Sequence, residues 1–223
     1  MPNAAAIQVR ERPILFSCPM VRAILDGRKT QTRRVILRRL KDEGEWCTAR
    51  PDRGFTPETI AAQYPCPYGA AGDRLWVRET WLPDPPINGW SGDVEWVGSG
   101  QQIDGVPPQY RSPRHCLYAA TWEGPPFRWR PSIHMPRWAS RLTLDLTDVR
   151  VERVQDISES DAEAEGLTKR GHWWDVGTDW KGDGLDTTAS GAFRMRWDAL
   201  NAKRGYGWDA NPFVWCLTFK VVE

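Results

Sequence analysis

The stretch Gly27-Arg28-Lys29-Thr30-Gln31-Thr32-Arg33-Arg34 follows a short apolar segment, "PMVRAILD" (residues 19–26). Pro19 suits the first turn of a helix, and Met20, Val21, Ile24 and Leu25 share one helical face. Gly27 suits the left-handed position that ends such a helix. The stretch therefore starts at a helix C-terminus, where the helix dipole favours cations. That accounts for Arg28 and Lys29, but not for Thr30 and Thr32. Arg28, Lys29, Arg33, Arg34, Arg38, Arg39 and Lys41 together read as a solvated face, as a grip on phosphate, or as a place where lysine and threonine react.

Working outward, "RPILFS" (residues 12–17) reads as a short buried strand. Residues 40–71 read as a loop. Gly72-Asp73 is a turn, after which Leu75 and Val77 alternate with Trp76 and Arg78 as in a strand. Residues 82–114 and 168–190 are rich in Gly, Pro and Asp and read as two insertions, the first with a hairpin near "VEWVG". Between them, "CLYAATWE" and "LTLDLTDVRVERV" read as strands, separated by a proline-broken loop. Ser158 with Asp161 three residues on has the capping-box pattern of a helix start, and Gly166 ends that short helix. Residues 191–204 pattern as an amphipathic helix with Phe193, Trp197 and Leu200 inward. The closing strand sets Phe213, Trp215, Leu217, Phe219 and Val221 on one face.

About six strands and three short helices at irregular spacing fit a small mixed β-barrel with flanking helices. A single domain over residues 1–223 is expected. No βαβ alternation and no phosphate-loop or dinucleotide fingerprint is present. With 40% hydrophobic and 26% charged residues the chain is globular, and no apolar run approaches a membrane span. The N-terminus lacks the layout of a signal peptide, so a cytoplasmic protein is expected, host-cytoplasmic if phage-encoded, and a monomer. A net charge of +1 gives no global basic surface. The five cysteines read as reduced thiols. Cys47, Cys66, His115 and Cys116 match no usual zinc spacing. Fourteen tryptophans read mostly as core and loop anchors.

"GRKTQTR" resembles the G-x-K-x-x-x-R motif of ASCH domains, relatives of the PUA RNA-binding domain. "GDRLWVRETW", "DISESDAEAEGL" and "NPFVWCLTFKVV" are similar to further ASCH segments in the same order. The layout, with "WRPSIHMPRWASRL", is also similar to the longer ASCH proteins of phages and prophages. The resemblance covers residues 12–40, 70–81 and 117–223. It implies a PUA-like β-barrel whose cleft handles RNA or a modified nucleoside. One bacterial branch hydrolyses N4-acetylcytidine with a Lys, a Thr and a Glu. Carried over by motif, the catalytic set is Lys29, Thr32 and Glu165. Many ASCH relatives carry Glu where this chain has Thr32, so the threonine favours the enzymatic reading.

Amide cleavage needs a nucleophile, a base, a leaving-group acid and an oxyanion donor. A threonine hydroxyl needs an adjacent base. A lysine serves only if burial or a nearby cation lowers its pKa, and Arg28 and Arg33 are the cations close in sequence. Neither a metal nor another cofactor is required. Residues three apart in a regular strand face opposite ways, so Lys29 and Thr32 cooperate only if the chain turns between them. Arg28, Arg33 and Arg34 are expected to bind substrate or nucleic acid, with Trp76, Glu79 and Trp138 beside them; Trp81 and Trp129 are further stacking candidates. The function the resemblance implies is hydrolysis of a modified (N4-acylated) cytosine nucleoside or related nucleic-acid component. Its rivals are a non-catalytic RNA- or DNA-binding module and a ribonuclease.

Overall fold

The computed structural model describes residues 9–36, 39–42, 45–48, 55–84, 106–176 and 185–222. In chain order the elements begin with β1 (Glu11–Leu15), α1 (Cys18–Leu25), β2 (Gln31–Val35), β3 (Arg39–Asp42), β4 (Glu45–Thr48) and α2 (Pro57–Gln63). Next come β5 (Arg74–Arg78), β6 (Trp81–Pro83), β7 (Cys116–Tyr118), β8 (Thr143–Arg153) and α3 (Glu159–Ala164). The series ends with β9 (Thr168–Arg170), β10 (Trp173–Asp175), β11 (Leu185–Asp186), α4 (Ala189–Asn201) and β12 (Phe213–Val221). The architecture is mixed α/β. No helix among the described residues is long and apolar enough to cross a membrane.

The chain divides into two compact units. The first holds Met1–Arg22, Asp73–Asp145 and Val221–Glu223. Within it β1 pairs parallel with β5, and β5 pairs antiparallel with the start of β8 (Trp76 opposite Thr143). The expected alternation in β5 is present: Leu75 and Val77 are buried while Trp76 and Arg78 are half-buried. A smaller core gathers Trp81, Tyr118, Met135 and Ala139. The strand expected over "CLYAATWE" is shorter, ending at Tyr118 in a turn. The proline-broken loop folds into single 3-10 turns at Ser132–His134 and Arg137–Ala139.

The second unit holds Ala23–Gly72 and Leu146–Lys220. Here β12 lies between β8 and β2 in hydrogen-bond order. The antiparallel register with β2 sets Thr32 opposite Leu217 and Arg33 opposite Cys216. Residues Phe213 to Leu217 are all buried, so β12 covers both faces, not the single face its alternation suggested; Val221 is exposed. A strand buried on both faces reads as a continuous apolar run, and Val214 and Cys216 supply the second face.

Helix α3 starts on Ser158, whose hydroxyl accepts from Asp161 N at 3.1 Å. Glu159 then caps α4, its carboxylate accepting from Ala189 N (2.8 Å) and Ser190 N (3.3 Å). Phe193 and Trp197 of α4 pack into the core with Val154, Trp174 and Val214, each fully buried aromatic contributing about 1.5–3 kcal/mol. Leu200, expected inward, is 52% exposed because α4 presents Trp197 and Asn201 to the core instead.

Residues 40–71 are not all loop: β3 and β4 form a hairpin, and α2 starts on Thr56 with a reciprocal cap to Thr59 and Pro57 in its first turn. The second insertion carries a three-stranded sheet, ordered β11-β10-β9. The hairpin expected near "VEWVG" lies outside the described residues. A mixed β-barrel with flanking helices was expected; the described residues show the mixed α/β architecture with several sheets, and the pairings among them do not include barrel closure.

Candidate functional site

The end of α1 sets the site. Gly27 takes φ +71°, and the amides of Arg28 and Lys29 both donate to Ala23 O at 2.9 Å. This double return satisfies the helix end and directs Lys29 inward. Lys29 forms an isolated antiparallel bridge with Glu165, and the regular strand begins only at Gln31. Regular strand pairing thus takes in Thr32 but not Lys29, and the Phe219 amide still donates to Thr30 O at 2.9 Å, so the chain runs on from β2 to Thr30 without a turn.

Lys29 is 1% exposed and Glu165 4%. The Lys29 ammonium donates to Glu165 Oε2 (2.7 Å), Glu165 O (2.9 Å) and Gln31 O (2.8 Å). Three donors meet three acceptors, so the charge is accommodated. Burial nevertheless pulls the Lys29 pKa down, to about 8, against the opposing pull of Glu165. Two further cations add to the lowering, Arg196 of α4 and Arg34 of β2. They take the place of the two expected from proximity in sequence. Arg28 turns instead to Asp26 (2.8 Å), Gly166 O (3.2 Å) and Thr168 Oγ1 (3.3 Å).

Arg33 is a hub, not a free phosphate grip. Its side chain is 0% exposed. Nη2 donates to Glu152 and Asp161, both at 2.9 Å, and Nη1 to Gln31 Oε1 at 2.6 Å, with Glu165 Oε1 at 3.5 Å. Arg150 adds a second bond to Asp161 at 2.9 Å. Asp161 thus spends one carboxylate oxygen on Arg33 and Arg150 and the other on the Gln31 amide, so only the Ser158 half of the capping box carries over from the sequence pattern. Burial alone would lower the Arg33 pKa; Glu165, Glu152 and Asp161 together raise it, so it stays charged.

Thr32 is 3% exposed. Strand alternation puts it opposite in face to Gln31 and Arg33 and on one face with Arg34. Burial lowers the Arg34 pKa, opposed by Tyr68 and Glu165. The Arg34 charge contributes to the lowering at Lys29.

Gly166 closes the site from behind. It has φ +82°, and a Cβ there would lie 2.7 Å from Lys29 Cβ and 2.9 Å from Ala23 Cβ. Gly166→Ala is expected to lower stability by about 1–3 kcal/mol, read by thermal denaturation. A variant melting like the parent would show that this turn yields freely.

The remaining expected residues belong to the first unit. Glu79 is buried and held by Arg141 in a bidentate pair (2.9 and 3.0 Å). Burial raises its pKa, opposed by Arg141. Arg141 lies over the Tyr118 ring at 4.0 Å. Trp138 meets Trp81 edge-on at 5.5 Å, and Trp81 is fully buried in the core, not offered to a base. Trp129 packs edge-on against Trp122 and Phe127. Trp76 is half-buried, with the guanidinium groups of Arg78 (5.4 Å) and Arg137 (6.0 Å) over its ring. Among the described residues no group of three potential metal ligands is gathered.

Sequence reasoning missed Glu152, Arg150 and Arg196. Glu152 and Arg150 sit at alternate positions of β8, a faint signal for one shared face. Arg196 carries no local signal, lying on a helix 167 residues from Lys29. No family model, curated protein or solved structure matches this chain.

Proposed function

We propose that the chain is an ASCH-type, PUA-like hydrolase that removes the acyl group from an N4-acylated cytosine nucleoside. The observation that carries the reading is the buried Lys29–Glu165 pair at 2.7 Å, with the lysine pKa brought down to about 8. An amine that loses its proton near neutral pH is the base a threonine hydroxyl requires.

The neutral Lys29 amine takes the proton of Thr32 Oγ1 as that oxygen attacks the acyl carbonyl. The resulting tetrahedral species expels the cytosine N4 amine, which takes a proton from Lys29, leaving an acyl ester on Thr32. Water, deprotonated by Lys29, then attacks the ester, and Lys29 returns that proton to Thr32 Oγ1 as the C–O bond breaks, releasing the carboxylic acid and regenerating Thr32 and the neutral amine. Acyl cytidine and water thus give cytidine and carboxylic acid. Loss of one proton leaves Lys29 two N–H groups for its three acceptors, and the amine has to turn out of this resting arrangement to aim its lone pair at Thr32 Oγ1. Arg34, on the same face of β2 as Thr32, is the candidate for steadying the oxyanion.

The test is incubation with N4-acylcytidines and their deoxy counterparts, following loss of acylcytosine absorbance and release of cytosine nucleoside. Turnover of at least one acyl substrate is expected. A panel without turnover would overturn the reading and favour a non-catalytic nucleic-acid module. For that alternative Trp76, beside Arg78 and Arg137, is the better-presented contact, since Arg33 is sequestered.

A further inference from the structure

We propose that Arg196 is a positioning residue of the Lys29–Glu165 site: it fixes the Glu165 carbonyl on which the lysine rests. The inference depends on the hydrolase reading only for its kinetic consequence. Arg196 donates through Nη1 to Glu165 O at 3.3 Å and through Nε to Val176 O at 2.8 Å. Glu165 O is also the acceptor for Lys29 Nζ at 2.9 Å. Two cations thus converge on one carbonyl oxygen, one from the stretch before β2 and one from α4.

The same guanidinium ties three segments of the second unit together. Glu165 is the residue after α3, Val176 follows β10, and Arg196 sits in the middle of α4. The start of α4 is itself held by Glu159 of α3, so the distance from Arg196 to Glu165 is braced at both ends. The planar fork serves two carbonyls in fixed geometry, which a lysine cannot reproduce.

Lys29 faces Glu165 from the end of α3, Arg34 from β2 and Arg196 from α4; Arg33 acts from β2 through Glu165. Arg196 thus adds a like charge beside the ammonium. Removing it makes the protonated form easier to hold.

The experiment is NMR titration of the Lys29 side chain in lysine-labelled protein, assigned with Lys29→Met. Arg196→Met is expected to raise the Lys29 midpoint by roughly one pH unit. Arg196→Lys, which returns the charge without the fork, should return the midpoint only in part; a full return to the parent midpoint would mean that charge alone, and not the placing of the Glu165 carbonyl, is at work, and would overturn the proposal. Should Arg196→Met fail to fold, Arg196→Gln keeps one donor and carries the same expectation. A folded Met or Gln variant with the parent midpoint would overturn the proposal. The titration needs no substrate, so absent turnover in the parent protein counts against the hydrolase reading alone. Where turnover exists, its alkaline-rising limb should move with the Lys29 midpoint.

Discussion

Lys29→Met is expected to lose about 3–5 kcal/mol of folding stability, read by urea unfolding. The substitution removes the ammonium from a buried carboxylate and from two backbone carbonyls, leaving Glu165 with Arg33 at 3.5 Å as its remaining described ion-pair partner. An uncompensated buried charge costs far more than the pair itself contributes, because desolvation nearly offsets the attraction in an intact pair. Lys29→Met combined with Glu165→Leu should therefore recover much of the loss. A single variant as stable as the parent would mean that the pair is not buried as described.

The same pair gives stability a pH dependence of definite sign. The Lys29 pKa falls from the ordinary 10.5 to about 8 on folding. Between those values the unfolded chain binds more protons, so this group makes the fold more stable as pH rises. Below about 8 both states are protonated and the burial cost is present in full.

Thr32→Val is expected to reduce acylcytidine turnover on the order of 10²-fold or more, with the protein still folded. Valine keeps the β-branched shape that suits β2 and its place opposite Leu217, and removes only the hydroxyl. Thr32→Ser keeps a hydroxyl and should retain turnover within about tenfold of the parent. Thr32→Val with parental turnover would remove Thr32 from the chemistry. Arg33→Leu provides a contrast: it would unbalance Glu152, Asp161 and Glu165 together and is a folding lesion before it is a catalytic one.

What the sequence disclosed was local. Pro19 and Gly27 bracketed α1, Leu75 and Val77 marked β5, and Ser158 and Gly166 bracketed α3, because each signal lies within a few residues of its effect. Thr56-Pro57 carried the start of α2 in the same way, but the surrounding Gly and Pro concealed it. β12 was recognised as a strand and misjudged in its burial, since alternation cannot say that both faces are covered. Lys29 and Glu165 were paired through the family resemblance, not by any spacing rule. The hub of Arg33, Arg150, Glu152 and Asp161 depends on β2, β8 and α3 meeting in space, which no single window contains. Arg33 looked like a phosphate grip because a cation's partners are invisible until the fold supplies them.

In the proposed reaction a lysine whose proton is loosened by burial drives acyl transfer. Its most direct test is the pH dependence of kcat/KM for N4-acylcytidine hydrolysis between pH 6 and 10. The account predicts a rate that rises through a midpoint near 8, the Lys29 value, and that is lost in Thr32→Val. A rate independent of pH across that interval, or no hydrolysis at any pH, would contradict it.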